Sequence, residues 1–432
     1  MRYIYYIFLI LSLSLHNNSS ASDLVNYLES AYKNNPLLNA ERKNLKKTQE
    51  NINIARSKFL PSVSISGTQN SKQSTSRTNQ TGGKLSDTNN DTTTETISVE
   101  QKIFQGFDGY NNFKKSKLEV DRAKSKLRNT EQEILLKSAT AYYDLIYKTK
   151  SEKINKDNVN LFERQVESDS ARLQRGEITL VDLAQSESSL AGANAKLISA
   201  ETELATINRN FERIVGASAP KQFQNIFQLN INLPNGIDTA ITLSGKNNPK
   251  LVLAKLEYEI ASKEVTIEKS KFSPSALLNY SQSKNRDYSS TVDSVDQEDI
   301  KATVTWPLFK GGENYSSFKK AKFKKEQYNL IFLDTTNEVK TDTYNAWSIY
   351  KSSAGILTST QAAVKAAEIA NEGITLEYDS GSKRTTLEVI QSRSLLLDSR
   401  ISKAKAERDF AISKFQLLFV LGELTLENIK KS

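Results

Sequence analysis

Apolar residues recur along this chain at two different periods, and each period predicts a different element. From about Gly109 to Leu173 there is neither proline nor glycine, and Phe113, Val120, Leu127, Ile134 and Ala141 stand seven residues apart. That spacing predicts one helix of about 65 residues, about 100 Å long. A turn at Gly176 follows, and a return helix is expected from Leu180 to Ile214. There Leu183, Leu190, Leu197, Leu204 and Phe211 alternate with Ala193, Ala200, Ile207 and Ile214. Period two appears in Ser62-Val63-Ser64-Ile65-Ser66 and again in Ile97-Ser98-Val99-Glu100, which predicts two strands. Pro36 suits the first turn of a helix reaching about Lys58. Pro61 ends helical structure and marks a strand start. Residues 71 to 95 are almost all small polar, amide or charged side chains and are expected to form a loop.

The chain then repeats this plan. Asn35-Pro36-Leu37 returns as Asn248-Pro249-Lys250. Phe59-Leu60-Pro61-Ser62 returns as Phe272-Ser273-Pro274-Ser275, and both proline pairs are 213 positions apart (36 and 249, 61 and 274). Ile103-Phe104-Gln105-Gly106 returns as Leu308-Phe309-Lys310-Gly311, and Gly176 as Gly381, both 205 apart (104 and 309, 176 and 381). Val215-Gly216 returns as Leu421-Gly422. Self-similarity on this scale predicts duplication. The second half therefore carries a strand at Leu278-Asn279-Tyr280, a polar loop from Ser281 to Glu298, and a strand with Ile300, Ala302, Val304 and Trp306 at period two. Its long helix keeps the seam at Phe318, Phe332, Val339 and Ala346, with Lys325 breaking it once. The organisation expected is a signal peptide at 1–21, a first repeat at 22–216, a linker at 217–235, a second repeat at 236–422 and a tail at 423–432.

Composition narrows the function. Arg2, an apolar run from Tyr3 to Leu15, and Ser19 and Ala21 before a cleavage point make an export signal. No later stretch is apolar enough for a membrane-spanning helix. Cysteine is absent and the single histidine is His16, inside that leader. The mature chain is thus expected to hold no catalytic residues, no metal site and no cofactor, and not to be an enzyme. Net charge is +9, yet the densest basic run, Lys319 to Lys325, is interleaved with Phe318, Ala321 and Phe323. This reads as a wet helix face, with no nucleic-acid partner. Lys310-Gly311-Gly312 lacks the flanking pattern of a phosphate loop. Tyr142, Tyr143, Tyr147, Trp347 and Tyr350 are expected to pack between helices.

Two strand pairs with thin apolar faces cannot build a soluble core, whereas in lipid such alternation is ordinary. Four strands do not close a barrel, and open edges are not tolerated in hydrocarbon. Two or three copies would be needed; a soluble sheet capping a coiled coil is the other arrangement these residues allow. The duplicated order of motifs, with the Phe-x-Pro-Ser strand starts at Pro61 and Pro274, the Phe-x-Gly strand ends, Ala141-Tyr142-Tyr143-Asp144-Leu145 and the two glycine tips, resembles the TolC-type outer-membrane efflux protein family.

The resemblance implies a mainly α fold with β. Long antiparallel helices of a homotrimer form an α-barrel in the periplasm, continuous with a 12-stranded transmembrane β-barrel of four strands per protomer in outer-membrane lipid. It implies an exit duct for type I protein secretion and/or efflux of small toxic compounds. Such a duct is opened at its periplasmic tip by a periplasmic adaptor and an inner-membrane ABC or proton-driven transporter. A trimeric coiled-coil structural or adhesive surface protein is the alternative. At the hairpin tips, Gly176 and Gly381, the resemblance assigns a gate in which Arg384 and Tyr378 engage Asp182. Glu388 supplies an acidic ring, and Gln391 stands where a second acidic ring would be. One extra residue in the second tip makes Lys383 the alternative to Arg384. Cargo and the identity of the inner-membrane partner stay open.

Overall fold

The protein was analysed as a computed structural model that describes residues 23–220, 223, 232–289, 292–381 and 384–430. The expected leader at 1–21 and Lys383 lie outside the described residues, as does most of the segment between residues 221 and 231. In chain order the elements are α1 (Asp23–Asn34), α2 (Pro36–Ser57), β1 (Ser62–Ser74), β2 (Thr88–Gln105), α3 (Asp108–Gln174) and α4 (Leu180–Val215). The second series is α5 (Ile237–Asn247), α6 (Pro249–Ser270), β3 (Ser275–Ser289), β4 (Val292–Thr305), α7 (Glu313–Asp379), α8 (Thr386–Leu421) and a short α9 (Leu426–Lys430). Both long helices have 67 residues and both return helices 36. The duplication is therefore literal at the level of elements.

The Asn-Pro motif has a physical reason. Asn35 Oδ1 accepts the backbone N–H groups of Leu37 and Leu38, which caps the first turn of α2, while Pro36 lacks an N–H that would otherwise be orphaned. The same side chain donates from Nδ2 to the carbonyl of Ile214 at 3.1 Å, and its duplicate Asn248 donates to Val420 at 2.7 Å. Each Asn thus clips the start of one helix to the open carbonyl end of another.

The chain divides into two compact units that cut across the repeats: residues 42–126 with 250–335, and the remainder. The first holds the sheet, with strand order β1-β2-β3-β4 and every neighbour antiparallel. One face carries Val63 and Ile65, Ile97 and Val99, Ala276, Leu278 and Tyr280, and Ile300, Ala302 and Val304, as the register aligns them. The opposite face carries Ser64, Ser66, Thr94, Thr96, Ser98, Asn279, Ser281, Lys301 and Thr303, with Leu277 an exception. Among the described residues no other element covers the apolar face, and Val63, Ile65, Ile300 and Val304 are exposed. Beside the sheet, α2 runs along the start of α3, joined by Lys58 to Asp108 at 3.6 Å and by Arg56 over the Phe113 ring.

The other unit holds the main core. Leu24 and Leu28 of α1, Leu135, Ala139, Tyr142 and Leu145 of α3, Phe211 and Val215 of α4, Phe415 and Leu418 of α8 and Ile429 of α9 form one cluster. Tyr142 is fully enclosed, with its ring edge-on to Tyr143, and Tyr350 stacks on Phe410, so these aromatics pack between helices. Burial pushes the Tyr143 phenol up to about 12. No helix among the described residues is long and apolar enough to cross a membrane.

Three features differ from expectation. The loops expected at 71–95 and 281–298 are shorter than their polarity suggests: residues 71–74, 88–95, 281–289 and 292–298 belong to strands, whose backbones pair with a neighbour even where the side chains are solvated. Only residues 75–87 connect β1 to β2. Three helices, α1, α5 and α9, were not anticipated, although Leu24, Val25, Leu28 and Ala31 already mark one buried face of α1. Finally, Gly422 closes α8 in the left-handed region (φ 75°), and a Cβ there would stand 2.2 Å from the Asn247 carbonyl oxygen. Its duplicate Gly216 (φ 71°) would meet only Asn34 Cβ, at 3.5 Å.

Gly216→Ala is expected to cost about 1–2 kcal/mol from its backbone conformation alone. Gly422→Ala should cost clearly more, because the Asn247 backbone must also move. Paired urea-denaturation midpoints followed by helical circular dichroism check this; equal losses would mean the two sites are equally accommodating.

Candidate functional site: the hairpin tips

Each hairpin tip turns on a left-handed glycine, Gly176 (φ 73°) or Gly381 (φ 76°). Each is followed by a complete capping box. Thr179 Oγ1 accepts the Asp182 N–H while Asp182 Oδ2 accepts the Thr179 N–H at 2.9 Å, and Thr385 and Glu388 repeat this at 2.8 Å. The sequence folds this way because a helix start leaves N–H groups unpaired and offers a positive end to a carboxylate. The Thr179 hydroxyl, then its N–H, lowers the Asp182 carboxyl pKa; the Thr385 N–H, then Arg384, lowers that of Glu388. With folded pKa values depressed, the caps contribute fully above the ordinary carboxylate range. Their contribution is lost as pH falls through the lowered values.

The residues assigned to a gate are brought to one end of the helices but are not joined as expected. Arg384 Nε donates to Glu377 at 2.6 Å and its Nη1 to Glu388 at 3.1 Å; these two carboxylates, Glu377 first, raise its pKa. Asp182 is taken up by Thr179. Tyr378 is 3% exposed, and its hydroxyl donates to Asp169 Oδ1 at 2.9 Å rather than to Asp182. The reason is placement. Asp182 sits third in α4 and folds back on its own helix start, whereas Tyr378 faces inward from the last turn of α7 toward α3. Glu388 holds its cap, and Gln391 is exposed.

Asp169 is the residue that sequence reasoning missed. It is fully buried, and accepts from Ser186 Oγ at 2.5 Å and Gln165 Nε2 at 2.8 Å in addition to Tyr378. The Tyr378 hydroxyl also lies 3.0 Å from Thr386 Oγ1, and the Arg172 guanidinium covers the Tyr378 ring at 4.2 Å. Burial, foremost, raises the Tyr378 pKa, keeping the phenol a neutral donor. Burial lowers that of Arg393, which sits near Asp169 and donates to the Leu161 carbonyl. One carboxylate thus fastens α3, α4 and α7 together within a protomer, and the Tyr378 hydroxyl carries the network on to Thr386 of α8. A signal existed: stepping by sevens from Phe113 passes Ile134, Ala141, Lys148, Asn155 and Phe162 and lands on Asp169, a charge on a buried position of the seam. Such a group must be partnered.

An open-edged, two-faced sheet followed by capped helical hairpins defines the class of a helix-extended β-barrel channel. The pattern that characterises the family described as "Outer membrane efflux protein" matches residues 27–217 and 240–423. The chain belongs to that family, whose members are outer-membrane channels with a periplasmic helical tunnel. It is 26% identical to the outer membrane efflux protein BepC of Brucella suis over 94% of this chain and 86% of the relative. It is 21% identical to the alkaline protease secretion protein AprF of Pseudomonas aeruginosa, over 95% and 87%. Among solved structures, the CmeC outer membrane channel of Campylobacter jejuni superposes with a TM-score of 0.83 at 16% identity, over 93% of this chain and 86% of that one. The fold is shared.

Tyr378→Phe is expected to leave Asp169 short of a donor, at a cost of about 1–3 kcal/mol. Asp169→Ala should cost more, because it orphans several donors at once. Hydrogen exchange should rise in 165–173 and 386–393 in both variants. Unchanged protection would show that the network carries no stability.

Proposed function

We propose that the protein is the outer-membrane exit duct of an export system, a homotrimer whose three four-stranded sheets close one barrel. The observation that carries this is the sheet itself. Its apolar face has nothing to cover it, its polar face suits a water-filled lumen, and its two outer strands lack partners within the described chain. Its function is passive: no catalysis and no cofactor, with energy supplied by an inner-membrane transporter through a periplasmic adaptor. The cargo, an exported polypeptide or small toxic compounds, is set by those partners. Repeats 22–216 and 236–422 are the two halves each protomer contributes to the wall. Family membership weighs against a purely adhesive coiled coil.

The gate belongs at the tips. Arg384 is held by exposed carboxylates, and exposed pairs are worth little, about 0.2–1 kcal/mol. It is therefore free to exchange partners for Asp182 of a neighbouring tip when protomers come together. Glu388 contributes an acidic ring, and Gln391 leaves the next position uncharged. Tyr378 serves differently, keeping the two hairpins of one protomer in step through Asp169.

Purified protein in planar bilayers is expected to show low conductance that rises in Arg384→Ser and in Asp182→Ala, with little further gain in the double variant, since both act on one interaction. Thr179→Ala is the control, because it weakens the same cap while keeping the Asp182 charge. If Thr179→Ala opens the channel as far as Asp182→Ala, the cap and not the latch is responsible. If no variant alters conductance, the tips do not gate.

A further inference from the structure

Resting on the reading that copies of this chain close a barrel, we propose that β4 of one copy pairs with β1 of the next in a defined register: the register of β2 on β3. The duplication supplies the rule. Adding 213 to a β1 residue and 205 to its β2 partner converts Ser62↔Glu100 into Ser275↔Thr305, Ile65↔Ile97 into Leu278↔Ala302 and Gln73↔Asn89 into Arg286↔Ser294. Every one of these is an observed β3–β4 pair, and so is every pair between them. The two hairpins therefore obey the sequence offsets over twelve consecutive pairs, up to the irregularity after Arg286.

Applied to the joint between repeats, the same offsets predict the joint between copies. Thr94↔Asn285 becomes Asp299↔Lys72, Ser98↔Ser281 becomes Thr303↔Thr68, and Gln101↔Leu278 becomes Trp306↔Ile65. After the irregularity between Lys102 and Phe104, Phe104↔Ala276 becomes Phe309↔Val63. Apolar partners meet near the start of β1, while further along Val304, Ala302 and Ile300 stand opposite Gly67, Gln69 and Ser71. Trp306 meets Ile65 and Phe309 meets Val63 on the apolar face. On the polar face Thr303 meets Thr68, and Asp299 meets Lys72 where the parent joint has the Thr94 hydroxyl on Asn285 at 2.8 Å. A slip of one residue would set the apolar face of one strand beside the polar face of the other.

A second observation points to the same partner. Strand β2 runs on past its last pairing with β1, at Glu100, to Gln105, and that extension is held by β3 alone. The matching stretch of β4, Trp306 to Lys310, is not strand in the single chain. There Trp306 is 61% and Phe309 85% exposed, whereas the paired Phe104 is 38% exposed. Residues 306–310 are the part of the joint that a second copy would extend, with Pro307 offering its carbonyl but no N–H and the Trp306 indole held by the Phe272 carbonyl at 3.1 Å. The occupant is β1 of a second copy, whose Ser62 to Ile65 supplies the same start after Pro61 that Ser275 to Leu278 supplies after Pro274.

The chain has no cysteine, so introduced thiols report without background. Two variants test the register, Lys72→Cys with Asp299→Cys and Thr68→Cys with Thr303→Cys. Both pairs bring Cα atoms within disulfide range if the register holds. Thr68→Cys with Lys301→Cys and Thr68→Cys with Thr305→Cys are displaced by two residues on the same face. After oxidation in native membranes, non-reducing gels are expected to show covalent ladders up to trimer for the two matched pairs, at least tenfold stronger than for the displaced ones. Native mass measurement under reducing conditions is made on every variant. Trimers in which a displaced pair cross-links best, or in which no pair does, overturn the register while leaving the barrel reading intact. Loss of trimers from the cysteine-free parent overturns the barrel reading itself.

Discussion

A backbone N–H or C=O in hydrocarbon must find a partner within the protein, and each that does not costs several kcal/mol. That requirement governs what a four-stranded sheet with two bare edges can be. In water such edges would be tolerated at some risk of aggregation; in lipid they force closure. Serine, threonine and asparagine on one face of the sheet and valine, isoleucine and leucine on the other are both explained once the sheet is a wall between water and lipid. Helix α3 begins three residues after β2 and α7 eight residues after β4, and each runs on for 67 residues.

Helical parts of this fold were legible because helices are punctuated. Pro36, Pro61, Gly176, Gly216 and their duplicates mark ends, and between them the seven-residue seam persists long enough to be unmistakable. The polar halves of the strands were not legible. Residues such as Gln69 to Ser74 carry no alternation, because both of their faces are wet, and only the pairing partner distinguishes them from a loop. The five-residue α9 was silent because it is too short to show a period and is held by what it packs on, whereas α1 carries a legible stripe at Leu24, Val25, Leu28 and Ala31 that went unread beside the leader.

At the tips the residue types were legible and their partners were not. Thr-x-x-Asp and Thr-x-x-Glu are helix starts that any reader of sequence can find, yet the same carboxylates can serve as cap or as latch. Side-chain direction decides between those roles. The buried carboxylate at Asp169 was hidden by its surroundings, a long charged helix in which one more acid is unremarkable until its place in the seam is counted.

The centre of the sheet joins residues far apart in the chain, with Thr94 and Asn285 separated by 191 positions, whereas each hairpin is local. Closing a loop of that length is entropically dearer than closing a hairpin, although the cost grows only logarithmically. Being tethered, β2 and β3 nonetheless meet at an effective concentration set by the chain, whatever the amount of protein present. The outer edges enjoy no tether. Two seams of like chemistry therefore obey different laws of mass action. In the proposed barrel, one closes as each molecule folds and the other only when enough molecules have gathered, so completion there would follow local abundance in the membrane.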